Sequence, residues 1–154
     1  RFLVESGANK DQGRTDTGAT PLVMAASKGH LEVVRLLVES GANQDPRVTG
    51  AGMTQMTPLL AAAFQGQVEV VRFLVESGAN KDQGTADGGR TPLFIAAAGG
   101  HLEVVRFLVE SGANKDQGMT DTGATPLVTA TENGHLEVAR FLAESGAKRP
   151  RHHR

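Results

Sequence analysis

Cysteine, tryptophan and tyrosine are all missing from this chain. Without cysteine there is no disulfide, no thiolate metal site and no cysteine nucleophile. Without Trp and Tyr, the aromatic anchors usual at binding hot spots are reduced to six phenylalanines. No apolar run approaches the roughly eighteen residues a membrane-spanning helix needs, and no secretory leader is recognisable. These absences favour an intracellular setting. The formal net charge of −1 conceals one more gap, because residues 148–154 contain no acid. They supply Lys148, Arg149, Arg151 and Arg154, whereas the preceding residues sum to −5. An acidic body argues against nucleic-acid phosphates as the main ligand. By composition the basic tail is a solvated terminus, and it is the part suited to contact an acidic surface.

What is present is repetition. Thr20-Pro21-Leu22 recurs as Thr57-Pro58-Leu59, Thr91-Pro92-Leu93 and Thr125-Pro126-Leu127, at spacings of 37, 34 and 34 residues. Nine positions after each Thr stands a glycine (Gly29, Gly66, Gly100, Gly134), and twelve further on another (Gly41, Gly78, Gly112, Gly146). Self-similarity at this period marks stacked repeats, each too small to bury a core alone. Arg1-Phe2-Leu3-Val4-Glu5-Ser6 duplicates Arg72-Phe73-Leu74-Val75-Glu76-Ser77. The sequence therefore opens inside a repeat, and further repeat sequence is expected upstream.

Each repeat predicts two short helices. Thr-Pro supplies a capping hydroxyl, then a ring whose missing N–H costs nothing in the first turn. In the third copy the helix continues through Leu93-Phe94-Ile95-Ala96-Ala97-Ala98 and stops at Gly99-Gly100. The second helix, 101–111, keeps Glu103, Arg106 and Glu110 on one narrow polar stripe and is apolar elsewhere. That pattern fits a helix held between two neighbours rather than one lying on a surface. Gly112 is placed as a left-handed cap. The Gly-, Asp- and Thr-rich connection 117–123 then reads as a projecting turn. Burial mainly against nearest neighbours predicts that Leu142→Ala, in the fourth copy, costs less stability than Leu108→Ala in the third.

These residues resemble the ankyrin repeat, whose period is 33 and whose pattern is T-P-L-H-x-A. Thr-Pro-Leu, the Gly-His pairs at 29–30, 100–101 and 134–135, and the closing Ser-Gly-Ala carry the likeness to about Ala147. The resemblance implies an all-α solenoid of helix-turn-helix units with projecting turns or hairpins. We expect a half unit at 1–13, units at 16–45, 54–82, 87–116 and 121–147, and the basic tail 148–154. Residues 1–6 are expected to dock as an orphan second helix. The chain departs from the pattern where His usually follows Thr-Pro-Leu, with Val23, Leu60, Phe94 and Val128 there instead. In the family that His helps tie adjacent units by hydrogen bonds, so apolar contact is expected to substitute. The second unit is the irregular one. Its connection, residues 46–56, is three residues longer, and Gln67 replaces His.

Other constellations dissolve on inspection. His30, His101 and His135 share one slot a whole repeat apart, too far for common coordination, so neither a metal nor a cofactor is expected. Asp16, Asp87 and Asp121 stand singly in turns, without the spacing of a calcium loop. Ser40, Ser77, Ser111 and Ser145 recur at helix ends with no activating partner, so they read as caps and the chain as no enzyme. Gly84 to Gly89 lack the Gly-Lys-Ser/Thr of a phosphate loop. The resemblance implies a protein partner, lying against the projecting turns and first helices. Positions that vary between copies mark that surface: Met24, Lys28, Phe64 and Gln65 on the first helices, and Arg47, Val48, Met53 and Met56 on the long connection. The expectation is a non-catalytic protein-binding or scaffolding module within a longer array. Its alternatives are a structural subunit of a permanent complex and a regulatory domain of an enzyme or channel.

Overall fold

The computed structural model describes residues 20–44, 56–85, 89–119 and 122–146. Residues 1–6, expected to dock as a half unit, lie outside these. Eight helices and no strands occur among the described residues. They are α1 (Pro21–Lys28), α2 (Leu31–Glu39), α3 (Pro58–Gln65), α4 (Val68–Glu76), α5 (Pro92–Gly99), α6 (Leu102–Glu110), α7 (Pro126–Glu132) and α8 (Leu136–Glu144). The chain forms two compact units, 1–79 and 80–154. The first holds α1 to α4 and the second α5 to α8. Within each, consecutive helices pair, first helix packs on first helix, and second on second.

The starts and stops follow from local chemistry. The hydroxyls of Thr20, Thr57, Thr91 and Thr125 accept from the N–H three residues on, at 3.2, 3.1, 3.1 and 3.3 Å. Each satisfies an N–H that the helix leaves orphaned, and Pro follows at once. At the other end Gly29, Gly66, Gly100 and Gly134 take φ of 75–76°, which L-residues with a Cβ avoid. The next residue donates back into the helix just ended (His101 N–H to Ala96 O, 3.0 Å) and accepts from the one beginning (Val105 N–H, 3.0 Å). One residue thus closes one helix and opens the next, which forces the tight antiparallel pair.

The core sits between these pairs. In α3 every residue from Pro58 to Ala63 is buried, and in α5 every residue from Pro92 to Ala97. Alanine at Ala62, Ala63, Ala96 and Ala97 lets neighbouring helices come close. On α2, Val34 is fully buried, whereas the adjacent Val33 is 46% exposed. Leu142 is as completely buried as Leu108. This corrects the expectation that Leu142 has an open side: it packs inside its own unit, and the open positions of the fourth repeat lie elsewhere.

In the second unit the ends of two connections are hydrogen-bonded to each other. Thr85 N–H donates to Arg90 O at 3.1 Å and Met119 N–H to Ala124 O at 2.9 Å. Gly84 and Gly118 pass so near the returning backbone that a Cβ on either would lie 2.6 Å from Gly89 or Gly123. Close approach, rather than a left-handed φ, is what requires glycine there.

Candidate functional site

The first-helix positions that vary between copies divide by burial. Ala61, Ile95 and Thr129, one turn into their helices, are buried, and the equivalent Met24 is half-buried. The exposed positions cluster on the last turn: Lys28 on α1, Phe64 and Gln65 on α3, Gly99 on α5, Thr131, Glu132 and the following Asn133 on α7. Phe64 is 58% exposed, whereas Phe94, earlier in its helix, is 7% exposed and packs in the core. Met56, just before the cap of α3, is half-buried. Arg47, Val48 and Met53 lie outside the described residues, as do Asp16, Asp87, Asp121 and the basic tail. In the first unit Met24 and Lys28 lie on α1, Phe64 and Gln65 on α3, which packs against it, and Met56 just before α3.

A second set of residues holds these helices in register, and pattern reading missed it. In the first unit Gln67 Nε2 donates to Ser27 O at 3.1 Å. In the second, His135 Nε2 lies 3.0 Å from Ala98 O, and because a carbonyl only accepts, that nitrogen carries the proton. Ser27 and Ala98 occupy the same place in their repeats, as do Gln67 and His135. Gln67 is therefore not an irregularity: its amide stands in for the imidazole N–H. Of the apolar residues after Thr-Pro-Leu, Val23, Leu60 and Phe94 are buried, at 8%, 0% and 7% exposed, and Val128 is half-buried. A polar tie accompanies this apolar contact, seven residues along at the start of the second helix.

Further ties run beside this one. The Arg35 guanidinium lies 4.8 Å from the centroid of the Phe73 ring, and that of Arg106 4.9 Å from Phe141. Such contacts contribute about 0.5–1 kcal/mol at exposed sites. The polar stripe thus joins repeats as well as keeping the protein in solution. Its internal pairs, such as Arg35 with Glu32 at 3.9 Å, are solvent-exposed and weak. Asn133 Nδ2 also donates to Ala98 O at 3.0 Å, and Asp82 Oδ1 accepts from Asn114 N–H at 2.9 Å. The signal for the last was the recurrence of Asn-x-Asp at 80–82 and 114–116. Each Asn also accepts from its Asp N–H, at 3.0 Å.

No group of three or more His, Asp or Glu among the described residues could hold a metal ion. No helix among them is long and apolar enough to cross a membrane. Ser145 Oγ donates to Phe141 O at 2.8 Å, closing the end of α8 as a cap.

Paired short helices, repeated and tied pair to pair within each unit, define a helical-repeat protein. The family described as ankyrin repeats (3 copies) matches residues 1–85 and again 81–151. The chain belongs to the ankyrin-repeat family, whose members are generally non-catalytic protein–protein interaction modules. No curated protein matches it.

Proposed function

We propose that this chain is a non-catalytic protein-binding module whose recognition surface in the first unit centres on Phe64, Lys28 and Gln65. Met24 and Met56 belong to the same surface, and from the sequence Arg47, Val48 and Met53 of the long connection are further candidate contacts. One observation carries this reading. Phe64 puts a large apolar ring 58% in solvent at the end of a helix otherwise buried from Pro58 to Ala63. The equivalent positions hold Ser27, Ala98 and Glu132, so the fold does not call for an aromatic side chain there. Recognition is commonly built on exposed side chains held by a rigid frame. The partner therefore offers an apolar pocket for the ring and an acidic or hydrogen-bonding group for Lys28 and Gln65.

A photo-crosslinker at Gln65 in the full chain, read by mass spectrometry in a native extract, tests the reading. The expected product is a defined protein whose crosslink disappears in Phe64→Ala/Lys28→Glu while the thermal unfolding midpoint is unchanged. A crosslink indifferent to both substitutions contradicts it. Loss of the crosslink on dilution identifies an exchangeable ligand, and its persistence a permanent complex.

A further inference from the structure

We propose that Asn133 is a site of self-catalysed deamidation, held off while α7 lies against α5, and that its conversion to aspartate or isoaspartate keeps the two helices from closing again. The inference does not depend on the surface around Phe64. Asn133 is the one asparagine followed by glycine; Asn9, Asn43, Asn80 and Asn114 precede Lys or Gln. With no Cβ on Gly134, nothing shields its backbone nitrogen from the preceding side-chain amide. That nitrogen gives its proton to solvent base and bonds to Asn133 Cγ. The Cγ–Nδ2 bond breaks, and ammonia leaves with a proton returned by water. A second step lets water open the five-membered succinimide at either carbonyl. The product is aspartate, or isoaspartate with the chain routed through the side chain. One water is consumed and one ammonia released, with no redox change. Asn133 is exposed, so water reaches it.

The fold holds the reaction off at three points. Ring closure needs the Gly134 nitrogen eclipsed with Asn133 Cβ, whereas at ψ 2° it eclipses Asn133's own nitrogen. The Gly134 N–H is engaged with Thr131 O at 3.1 Å. Asn133 Nδ2, the leaving nitrogen, donates to Ala98 O on α5 at 3.0 Å, and His135 Nε2 reaches the same oxygen at 3.0 Å. The three are released together when the end of α7 opens from α5, a local event that costs less than global unfolding. The product does not restore them. A carboxylate has no N–H to offer Ala98 O. Its charge also stands at the C-cap of α7, the end of a helix where negative charge is disfavoured. Isoaspartate adds a backbone atom just ahead of Gly134 and His135, whose N–H groups return to Thr131 O and Ala130 O. The same slot in the other repeats holds Lys28, Gln65 and Gly99.

The test incubates the full chain at mildly alkaline pH and follows Asn133 by peptide mapping, with isoaspartate counted by enzymatic methyl transfer. A peptide with the sequence of residues 129–137 gives the unprotected rate. The expected result is deamidation at Asn133 ahead of every other asparagine, on the order of tenfold or more slower than in the peptide. His135→Ala removes one of the two bonds to Ala98 O and should speed the reaction in the chain about fivefold. His135→Gln, which keeps a donor, should not. Urea below the unfolding transition needs no variant, so the test stands even if His135→Ala does not fold. It should speed the chain and leave the peptide unchanged. The aged chain should melt below the fresh one, as Asn133→Asp does. A rate equal to the peptide's, deamidation led by another asparagine, or an unchanged midpoint in the aged chain overturns the proposal. So does a rate in the chain indifferent to both His135→Ala and low urea.

Discussion

The two compact units are built on one plan and differ where the plan leaves freedom. Unit one ties its helix pairs with Gln67 and Ser27 O, and unit two with His135 and Ala98 O, at 3.1 and 3.0 Å. Arg35 stacks on Phe73 in one and Arg106 on Phe141 in the other, at nearly equal distances. On the last turn of the first helices the likeness ends. Unit one presents Lys28, Phe64 and Gln65, whereas unit two presents Gly99, Glu132 and Asn133. Where a side chain has a structural task the units preserve its chemistry, even when the residue changes. On the last turn of the first helices they diverge, although Asn133 there is tied to Ala98 O. The divergent row is therefore the place to look for recognition.

The comparison breaks first, if it breaks, in the core. Leu74, Leu108 and Leu142 are all fully buried. Truncation of each to Ala should cost about 2–5 kcal/mol in urea titration, with the three values close together. A much smaller loss at Leu142 would restore the picture of an open side at Leu142.

Glycine substitutions sharpen the comparison. Gly29, Gly100 and Gly134 share φ of 76°, so Ala at any of them pays about 1–2 kcal/mol for a left-handed backbone. At Gly29 and Gly100 the new methyl also meets Gln67 or His135, and at Gly134 it does not. Gly29→Ala and Gly100→Ala should therefore lower the unfolding midpoint further than Gly134→Ala.

Exchange at the tie is a subtler test. Gln67→Ala and His135→Ala should each cost about 1 kcal/mol, the worth of one hydrogen bond. Gln67→His and His135→Gln should be nearly neutral in the same titration, because each keeps an N–H donor. Smallest of all, Arg35→Ala and Arg106→Ala should cost about 0.5–1 kcal/mol each through the lost contact with the ring.

The helices were legible because their boundaries are written locally. Thr-Pro and the following glycine act within one turn, and four copies in phase remove ambiguity. The ties between repeats were not legible, for a physical reason. Alignment by period compares each residue with its own counterpart, whereas Gln67 and His135 act on carbonyls of the preceding repeat. Seen only against its counterparts, Gln67 looked like decay of a histidine. Seen against Ser27 O, it keeps the hydrogen bond. The exposed row was half legible. Variation between copies pointed to the first helices but could not separate half-buried Met24 from exposed Lys28, Phe64 and Gln65. Burial is set by the neighbouring pair, which a single repeat does not record.

The central claim is that Lys28, Phe64 and Gln65 serve recognition and not folding. The most direct measurement is urea unfolding of the triple variant Lys28→Ala/Phe64→Ala/Gln65→Ala beside the parent chain. The account predicts an unfolding free energy within about 0.5 kcal/mol of the parent, the usual range for surface substitutions. A loss of about 2 kcal/mol or more, in the range of a core leucine, would show that Phe64 belongs to the core and would contradict the account.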